Sequence, residues 1–103
     1  MISIDKTYNR KVIFTQKGDV VEIQLEENPT TGYLWKINSF DEQHLSYMEN
    51  KYNNLGNAIG AGGLRTFYFK ILDEATSELH FSLGNPWEKD TIDSFNVIFE
   101  RNC

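Results

Sequence analysis

The residues whose side chains could carry out catalysis are few and lie apart along the chain. An enzyme needs a nucleophile beside a base, a cluster of metal ligands, or converging carboxylates. His44 and His80 are isolated, and we expect the first in a polar turn and the second on the solvent side of a strand. Thr30 or Thr31 could act as a nucleophile only with a base, and no base lies near them in the sequence. The pattern favours a protein that is not an enzyme and that uses no metal or other cofactor.

The length and charge of the chain exclude further functions. Its 103 residues are enough for one domain, spanning 1–103, and leave little room for a deep internal cavity. The formal net charge is −5, and the lysines and arginines are scattered. Nucleic acids and anionic membranes attract clustered basic side chains, so we expect neither as a partner. Nothing indicates an obligate oligomer, and we expect a monomer when the protein is free.

The single cysteine, Cys103, excludes a disulfide within the chain. It is either a terminal thiol without a structural role or the site of a bridge to another molecule. A small domain without an internal disulfide favours a reducing compartment, which predicts a cytoplasmic location. A secreted or lysosomal location would require a signal peptide removed before residue 1.

Apolar residues recur at every second position over much of the chain, which is typical of half-buried β-strands. The pattern predicts seven strands: Val12–Phe14, Val21–Leu25, Tyr33–Ile37, Tyr47–Tyr52, Phe67–Ile71, Leu79–Leu83 and Phe95–Phe99. Frequent strands separated by turn residues favour a sandwich or a barrel. We expect hairpin turns at Lys17-Gly18-Asp19 and at Asp73–Ser77, and at most a short helical turn at Ser39–Leu45, which Ser39 could cap.

Three connections between the predicted strands are longer or stiffer than a simple turn requires. They contain Asn28-Pro29-Thr30-Thr31-Gly32-Tyr33, the glycine-rich Ile59-Gly60-Ala61-Gly62-Gly63, and Asn85-Pro86-Trp87. In simple sandwich order they follow the second, fourth and sixth predicted strands, so all three emerge at the same end. We therefore expect them to form one surface.

The first of these loops is predicted to be rigid. Pro29 fixes its own backbone, Thr30 and Thr31 have restricted side-chain rotamers, and Gly32 permits a positive φ. An ordered loop loses little entropy when it binds a partner. A rigid turn that only connects two strands would have the same composition.

The other two loops have different chemistry. The glycines of the second would let a partner's backbone approach and pair by main-chain hydrogen bonds, although simple flexibility is the alternative. No lysine and no following helix accompany them, which excludes a phosphate site, and Ile59 could be an apolar anchor or a core residue. In the third loop, Trp87 is either an exposed interface anchor or a ring folded over the end of the sandwich. Trp35, in the middle of a strand, is expected in the core.

These segments, in this order, resemble the chagasin family, whose members are protein inhibitors of papain-like cysteine peptidases. The family pattern NPTTG[YF] is matched in full by the first segment, and its G-x-G-G is matched by Gly60-Ala61-Gly62-Gly63. Its R-P-W appears as Asn85-Pro86-Trp87, with asparagine in place of arginine. Length and strand order agree as well, so the resemblance covers almost the whole chain.

The resemblance implies an all-β fold, an immunoglobulin-like β-sandwich of about seven to eight strands, that blocks a peptidase cleft reversibly and tightly without being cleaved. The threonine loop would enter at the catalytic Cys/His pair, the glycine loop would pair with the substrate side of the cleft, and Trp87 would stack on the other flank. Asn85 reaches less far than arginine, so we expect weaker or narrower inhibition than in an arginine-bearing relative. The alternative is an immunoglobulin-like adhesion or ligand-binding module that uses the same loops for another partner.

Overall fold

Eight strands make up most of this computed structural model, which describes residues 1–54, 62–87 and 91–101. They are β1 (Ile2–Asp5), β2 (Val12–Thr15), β3 (Val20–Glu27), β4 (Leu34–Phe40), β5 (Leu45–Asn54), β6 (Gly63–Ile71), β7 (Ser77–Gly84) and β8 (Thr91–Arg101). Short 3-10 turns lie at Lys6–Tyr8 and Pro29–Thr31. One sheet has the order β1-β3-β6-β5 and the other the order β2-β8-β7-β4. The predicted all-β, immunoglobulin-like sandwich is confirmed.

Aromatic side chains from both sheets meet in the core between them. Phe67 and Phe69 point inward from β6, and Phe81 and Phe95 point inward from β7 and β8. The ring centroids of Phe67 and Phe81 lie 4.7 Å apart across the sandwich, and those of Phe81 and Phe95 lie 6.1 Å apart. Such rings bury large apolar areas and pack in preferred geometries, so they fix one sheet against the other. The strand ends that carry the three loops are thereby fixed as well.

All seven predicted strands are present, each longer than predicted, and one further strand was not predicted. β1 was not predicted, because it has only four residues and Ile4 alone is buried. It pairs in parallel with β3, Ile2 opposite Val21. The segment predicted at Tyr47–Tyr52 is the ten-residue β5, which carries a bulge where its register with β6 shifts.

Both hairpin predictions are wrong. β2 and β3 flank Lys17–Asp19, but β2 pairs in parallel with β8 in one sheet and β3 pairs with β6 in the other. β6 and β7 flank Asp73–Ser77 and also lie in different sheets. Turn residues show that the chain reverses, but they do not specify hydrogen bonding between the flanking strands. Each of these turns carries the chain from one sheet to the other.

The segment Ser39–Leu45 forms a single turn, but Ser39 is not its cap. Ser39 and Phe40 are the last two residues of β4. The backbone carbonyl of Asp41 accepts hydrogen bonds from the amides of His44 and Leu45, both at 2.9 Å. The turn therefore starts two residues later than predicted and leads directly into β5. No helix in the described parts of the chain is long and apolar enough to span a bilayer.

Candidate functional site

The three loops singled out in the sequence meet at one end of the sandwich. A Cβ atom built on Gly62, the last residue before β6, would lie 3.6 Å from Cβ of Asn28 in the first loop. A Cβ atom built on Gly32, in the first loop, would lie 3.8 Å from Cζ2 of Trp87 in the third. The described parts of the three connections, 28–33, 62 and 85–87, thus form a contiguous face that we call the loop surface. Ile59, Gly60 and Ala61 lie outside the described residues.

The first loop is ordered by hydrogen bonds to Asn28. Its side-chain Oδ1 accepts from the amide of Thr30 at 3.1 Å and from the Thr30 hydroxyl at 2.6 Å. Its carbonyl oxygen accepts from the Thr31 amide at 3.1 Å and from the Thr31 hydroxyl at 2.7 Å. Both hydroxyl protons are thus used within the loop, so each hydroxyl can only accept a hydrogen bond from a partner. Residues Pro29–Thr31 form a 3-10 turn, a conformation that the composition alone did not specify.

The conformation of Gly32 explains the glycine at the end of this loop. Its φ is +81°, a value that side-chain-bearing residues rarely adopt. Its lack of a side chain also leaves room for the indole of Trp87. Gly32 therefore sets both the return of the chain into β4 and the distance between the first and third loops.

Trp87 is exposed at the edge of the loop surface, as the interface interpretation predicted. Its exposed fraction is 76%. The Trp87 amide donates to Oδ1 of Asn85 at 3.2 Å, so Asn85 caps the turn that presents the indole. A large aromatic ring held in place and left in solvent is typical of an interface anchor.

The root of the first loop is held by a buried glutamate that was not singled out in the sequence. Glu27 ends β3, and its side chain is fully buried. Its Oε1 accepts from Nε and Nη2 of Arg65 at 3.1 and 2.9 Å, and its Oε2 accepts from the Trp35 amide at 2.7 Å. Arg65 also donates to Oδ1 of Asn50 at 2.9 Å and lies 5.1 Å from the ring centre of Tyr52. This network joins β3, β4, β5 and β6 directly below the loops.

The sequence does contain a signal for this glutamate. Val21, Ile23 and Leu25 occupy the inward positions of β3, and two residues further the alternation reaches Glu27. A carboxylate at an inward position requires charged or hydrogen-bonding partners when it is buried. Continuing the alternation by one step would have identified it, although its partner Arg65 lies 38 positions away.

Trp35 and Gly63 have structural roles at the same end. Trp35 is buried, as predicted, and its indole N–H donates to the Glu26 carbonyl at 2.8 Å. A Cβ atom on Gly63 would collide with the Asn53 carbonyl oxygen and lie 2.7 Å from the Tyr52 hydroxyl. The glycine at position 63 is thus required by the pairing of β5 with β6, whatever binds to the loop surface.

A groove of about 470 Å³ opens at the loop end beside β1. Lys6 lines this groove, and its Nζ atom lies 2.8 Å from Oδ2 of Asp93 and 5.9 Å from the ring centre of Trp35. Burial raises the pKa of Asp93, but the hydrogen bonds from Lys6 and from the Ser94 amide outweigh it and hold the pKa below its usual value. Lys6 and Asp93 fasten the segment after β1 to the start of β8.

The two histidines are not part of the loop surface. Nδ1 of His44 lies 2.8 Å from Oδ2 of Asp73, in the connections β4–β5 and β6–β7 at the other end of the strands. Nδ1 of His80 lies 2.6 Å from Oδ1 of Asn96 on the face of the second sheet. Across residues 1–54, 62–87 and 91–101, no group of three His, Cys, Asp or Glu residues could hold a metal ion.

The fold and the loop surface define a class of protein: a β-sandwich in which three connections form one contiguous face at one end. The chain belongs to the chagasin family, since the model of the chagasin family of peptidase inhibitors matches residues 15–99. Members of this family inhibit cysteine peptidases, so the predicted class of function and of partner, and the prediction that the chain is not an enzyme, are confirmed.

Individual relatives and solved structures agree with this assignment. The chain is 29% identical to Chagasin of Trypanosoma cruzi over 106 residues, which cover 96% of each chain. It is 32% identical to Amoebiasin-2 of Entamoeba histolytica over 74 residues, 70% of this chain and 60% of that protein. The crystal structure of the cysteine protease inhibitor EhICP2 from Entamoeba histolytica has a TM-score of 0.82 at 21% identity, covering 98% of this chain and 94% of its own. PbICP-C in complex with falcipain-2 has a TM-score of 0.69 at 16% identity, covering 96% of both chains. The two structures show the same fold.

Proposed function

We propose that this chain inhibits papain-like cysteine peptidases reversibly by inserting the loop surface into the active-site cleft. The observation that carries the proposal is the contiguity of the three loops, from Gly62 through Asn28 and Gly32 to Trp87. A face built from three connections can fill a cleft along its length, whereas a single loop would contact only part of it. Family membership supplies the class of partner.

The conformation of the threonine loop accounts for resistance to cleavage. A peptidase cleaves a segment that lies extended across its catalytic residues, with the carbonyl carbon in near-attack geometry. Here Pro29–Thr31 is a 3-10 turn whose hydroxyls and amides are bonded to Asn28. Placing this turn at the catalytic Cys/His pair fills the site without offering an extended peptide bond. Because the turn exists before binding, little entropy is lost on association.

The remaining contacts are assigned by loop. The segment Ile59–Gly63 lies along the substrate side of the cleft and pairs through its backbone, and Asn85, Pro86 and Trp87 occupy the opposite flank. The positive φ of Gly62, +77°, lets the chain turn back into β6 beside Asn28. None of the described contacts favours the alternative of an adhesion module. The effect of Asn85 in place of arginine, and a cytoplasmic location, stay predictions.

A titration of papain with the protein, using a peptide substrate as reporter, tests the proposal. Trp87→Ala should weaken inhibition by about 2–4 kcal/mol, a rise in Ki of roughly 30-fold to 1,000-fold, because an exposed aromatic anchor is lost. Its melting temperature should stay nearly unchanged, since the ring is mostly in solvent. Phe14→Ala is the matched control, because Phe14 is an exposed aromatic residue near the far end of β2.

Two results would contradict the proposal. The first is full activity of papain, and of other papain-like peptidases, at a large molar excess of the protein. That result would show that the loop surface does not enter such clefts. A large loss of stability in Trp87→Ala would show that the indole serves the fold rather than a partner.

A further inference from the structure

Two apolar side chains are exposed on the outer face of the second sheet at its loop end, outside the three loops. Leu34, the first residue of β4, is 36% exposed, and Ile92, near the start of β8, is 56% exposed. Both flank Gly84 at the end of β7: Leu34 pairs with Gly84, and Gly84 pairs with Thr91, next to Ile92. The register shift at this point places Thr91 and Ile92 together opposite Gly84. We call Leu34, Gly84 and Ile92 the outer patch.

The outer patch is confined to the loop end of the sheet. The next row across the three strands is Lys36, Ser82 and Ser94, which is polar. Ser82 donates a hydrogen bond to Oδ1 of Asn38 at 2.8 Å, so its hydroxyl has a partner within the sheet. A molecule covering the outer patch would therefore meet a polar boundary one row further from the loops.

The outer patch also continues the loop surface. Leu34 follows Gly32 by two residues, and Gly32 lies next to the Trp87 indole. Trp87 lies within the β7–β8 connection, and Ile92 is the second residue of the strand that follows it. The first and third loops therefore lead directly into the strand ends that carry Leu34 and Ile92.

We propose that the outer patch is a fourth contact of the inhibitor, which packs against an apolar rim of the peptidase cleft beyond the position of Trp87. This inference rests on the proposed function. The patch itself has no charged or hydrogen-bonding side chain, so it favours a partner surface of aliphatic or aromatic residues. A peptidase with a charged group at that rim would have to desolvate it without a partner, at a cost in free energy. The outer patch therefore selects among peptidases whose catalytic clefts are alike.

Substitution by threonine tests the outer patch, because threonine keeps a high β propensity while removing apolar surface. Leu34→Thr and Ile92→Thr should each raise Ki against papain about threefold to fivefold, and the double variant about tenfold or more, from the apolar area withdrawn from the contact. The melting temperatures should change little because both side chains are partly exposed. Phe14→Thr and Met48→Thr are matched controls, since both side chains are exposed elsewhere on the sandwich and should leave Ki unaltered.

The same measurements separate the two proposals. If the wild type inhibits papain and Trp87→Ala weakens inhibition, but the double variant Leu34→Thr/Ile92→Thr keeps its Ki, the fourth contact is wrong and the loop surface stands. If the wild type inhibits no papain-like peptidase, both proposals fail together. Sedimentation of the free protein adds one more outcome: a dimer that dissociates on Leu34→Thr would show that a second copy covers the outer patch, and would overturn the fourth contact.

Discussion

Replacing Arg65 by methionine should destabilise the protein strongly, because it leaves the buried carboxylate of Glu27 without its charged partner. The Glu27 side chain is fully buried and accepts three hydrogen bonds, two of them from Arg65. Methionine keeps the apolar part of the arginine side chain. Of the three hydrogen bonds that Glu27 accepts, the one from the Trp35 amide remains. Removing one member of a buried ion pair typically costs about 3–5 kcal/mol. The Arg65 side chain is 23% exposed, so water can reach part of the vacated space, and we expect the low end, about 3 kcal/mol.

Urea denaturation and thermal melting measure this loss. For a domain of this size, about 3 kcal/mol corresponds to a fall in melting temperature of roughly 12–24 °C. Lys51→Met is the matched control: Lys51 pairs with Glu49 at 3.4 Å, but both side chains are exposed. Exposed pairs contribute little, so this variant should change the free energy of unfolding by less than about 0.5 kcal/mol.

A double variant shows whether the unpaired negative charge of Glu27 causes the loss of stability in Arg65→Met. Glu27→Gln keeps an oxygen that can accept from the Trp35 amide but removes the negative charge. Glu27→Gln/Arg65→Met should therefore be more stable than Arg65→Met alone, although each single change removes native hydrogen bonds. The reasoning is refuted if Arg65→Met costs less than about 1 kcal/mol, or if neutralising Glu27 brings no recovery.

Two further changes test other parts of the same end of the sandwich. Gly63→Ala should lower stability by about 2 kcal/mol or more, measured by urea denaturation, because its methyl group would collide with the Asn53 carbonyl; a neutral result would show that β5 shifts freely. Asp93→Asn should destabilise the protein at neutral pH by removing the pair with Lys6. The pKa of Asp93 is lowered in the folded state, so its contribution is present above the unfolded pKa and is lost as pH falls through the folded one. Melting curves of the wild type and Asp93→Asn should therefore converge in acid, and a difference that grows there would contradict the assignment.

Much of the fold could be predicted from the sequence, because most strands have one buried and one exposed face. In β3, β7 and β8 the inward residues stand at every second position, so the alternation locates the strands directly. The number of intervening strands then places the three loops at one end. The pairing of strands could not be read in the same way. Lys17-Gly18-Asp19 is a genuine turn, but only the packing of two sheets decides that it crosses between them.

In the candidate site, too, contacts between neighbours in sequence could be predicted and contacts between distant strands could not. The loop residues were found because their order depends on neighbours in sequence: Asn28 bonds Thr30 and Thr31, and Asn85 bonds Trp87. Glu27 stands one step beyond the predicted alternation of β3, but its pairing with Arg65 was missed because the two residues lie on different strands, 38 positions apart. The outer patch was missed for a similar reason, since Leu34 and Ile92 approach only through the pairing of β4, β7 and β8.

These two sources of order, local and distant, predict different behaviour of the inhibitor. The hydrogen bonds of Asn28 are exposed, and each such bond contributes only about 1 kcal/mol net, because water competes for the same groups. The turn at Pro29–Thr31 can keep one shape only if the end of β3 that precedes it is held in place. Glu27 holds that end through its hydrogen bonds to Trp35 of β4 and Arg65 of β6. If local bonds were sufficient, Arg65→Met would reduce the folded fraction but leave the Ki of the folded protein unaltered. If the Glu27–Arg65 pair is required to hold the first loop, the Ki of Arg65→Met rises as well, even at temperatures where the variant is fully folded.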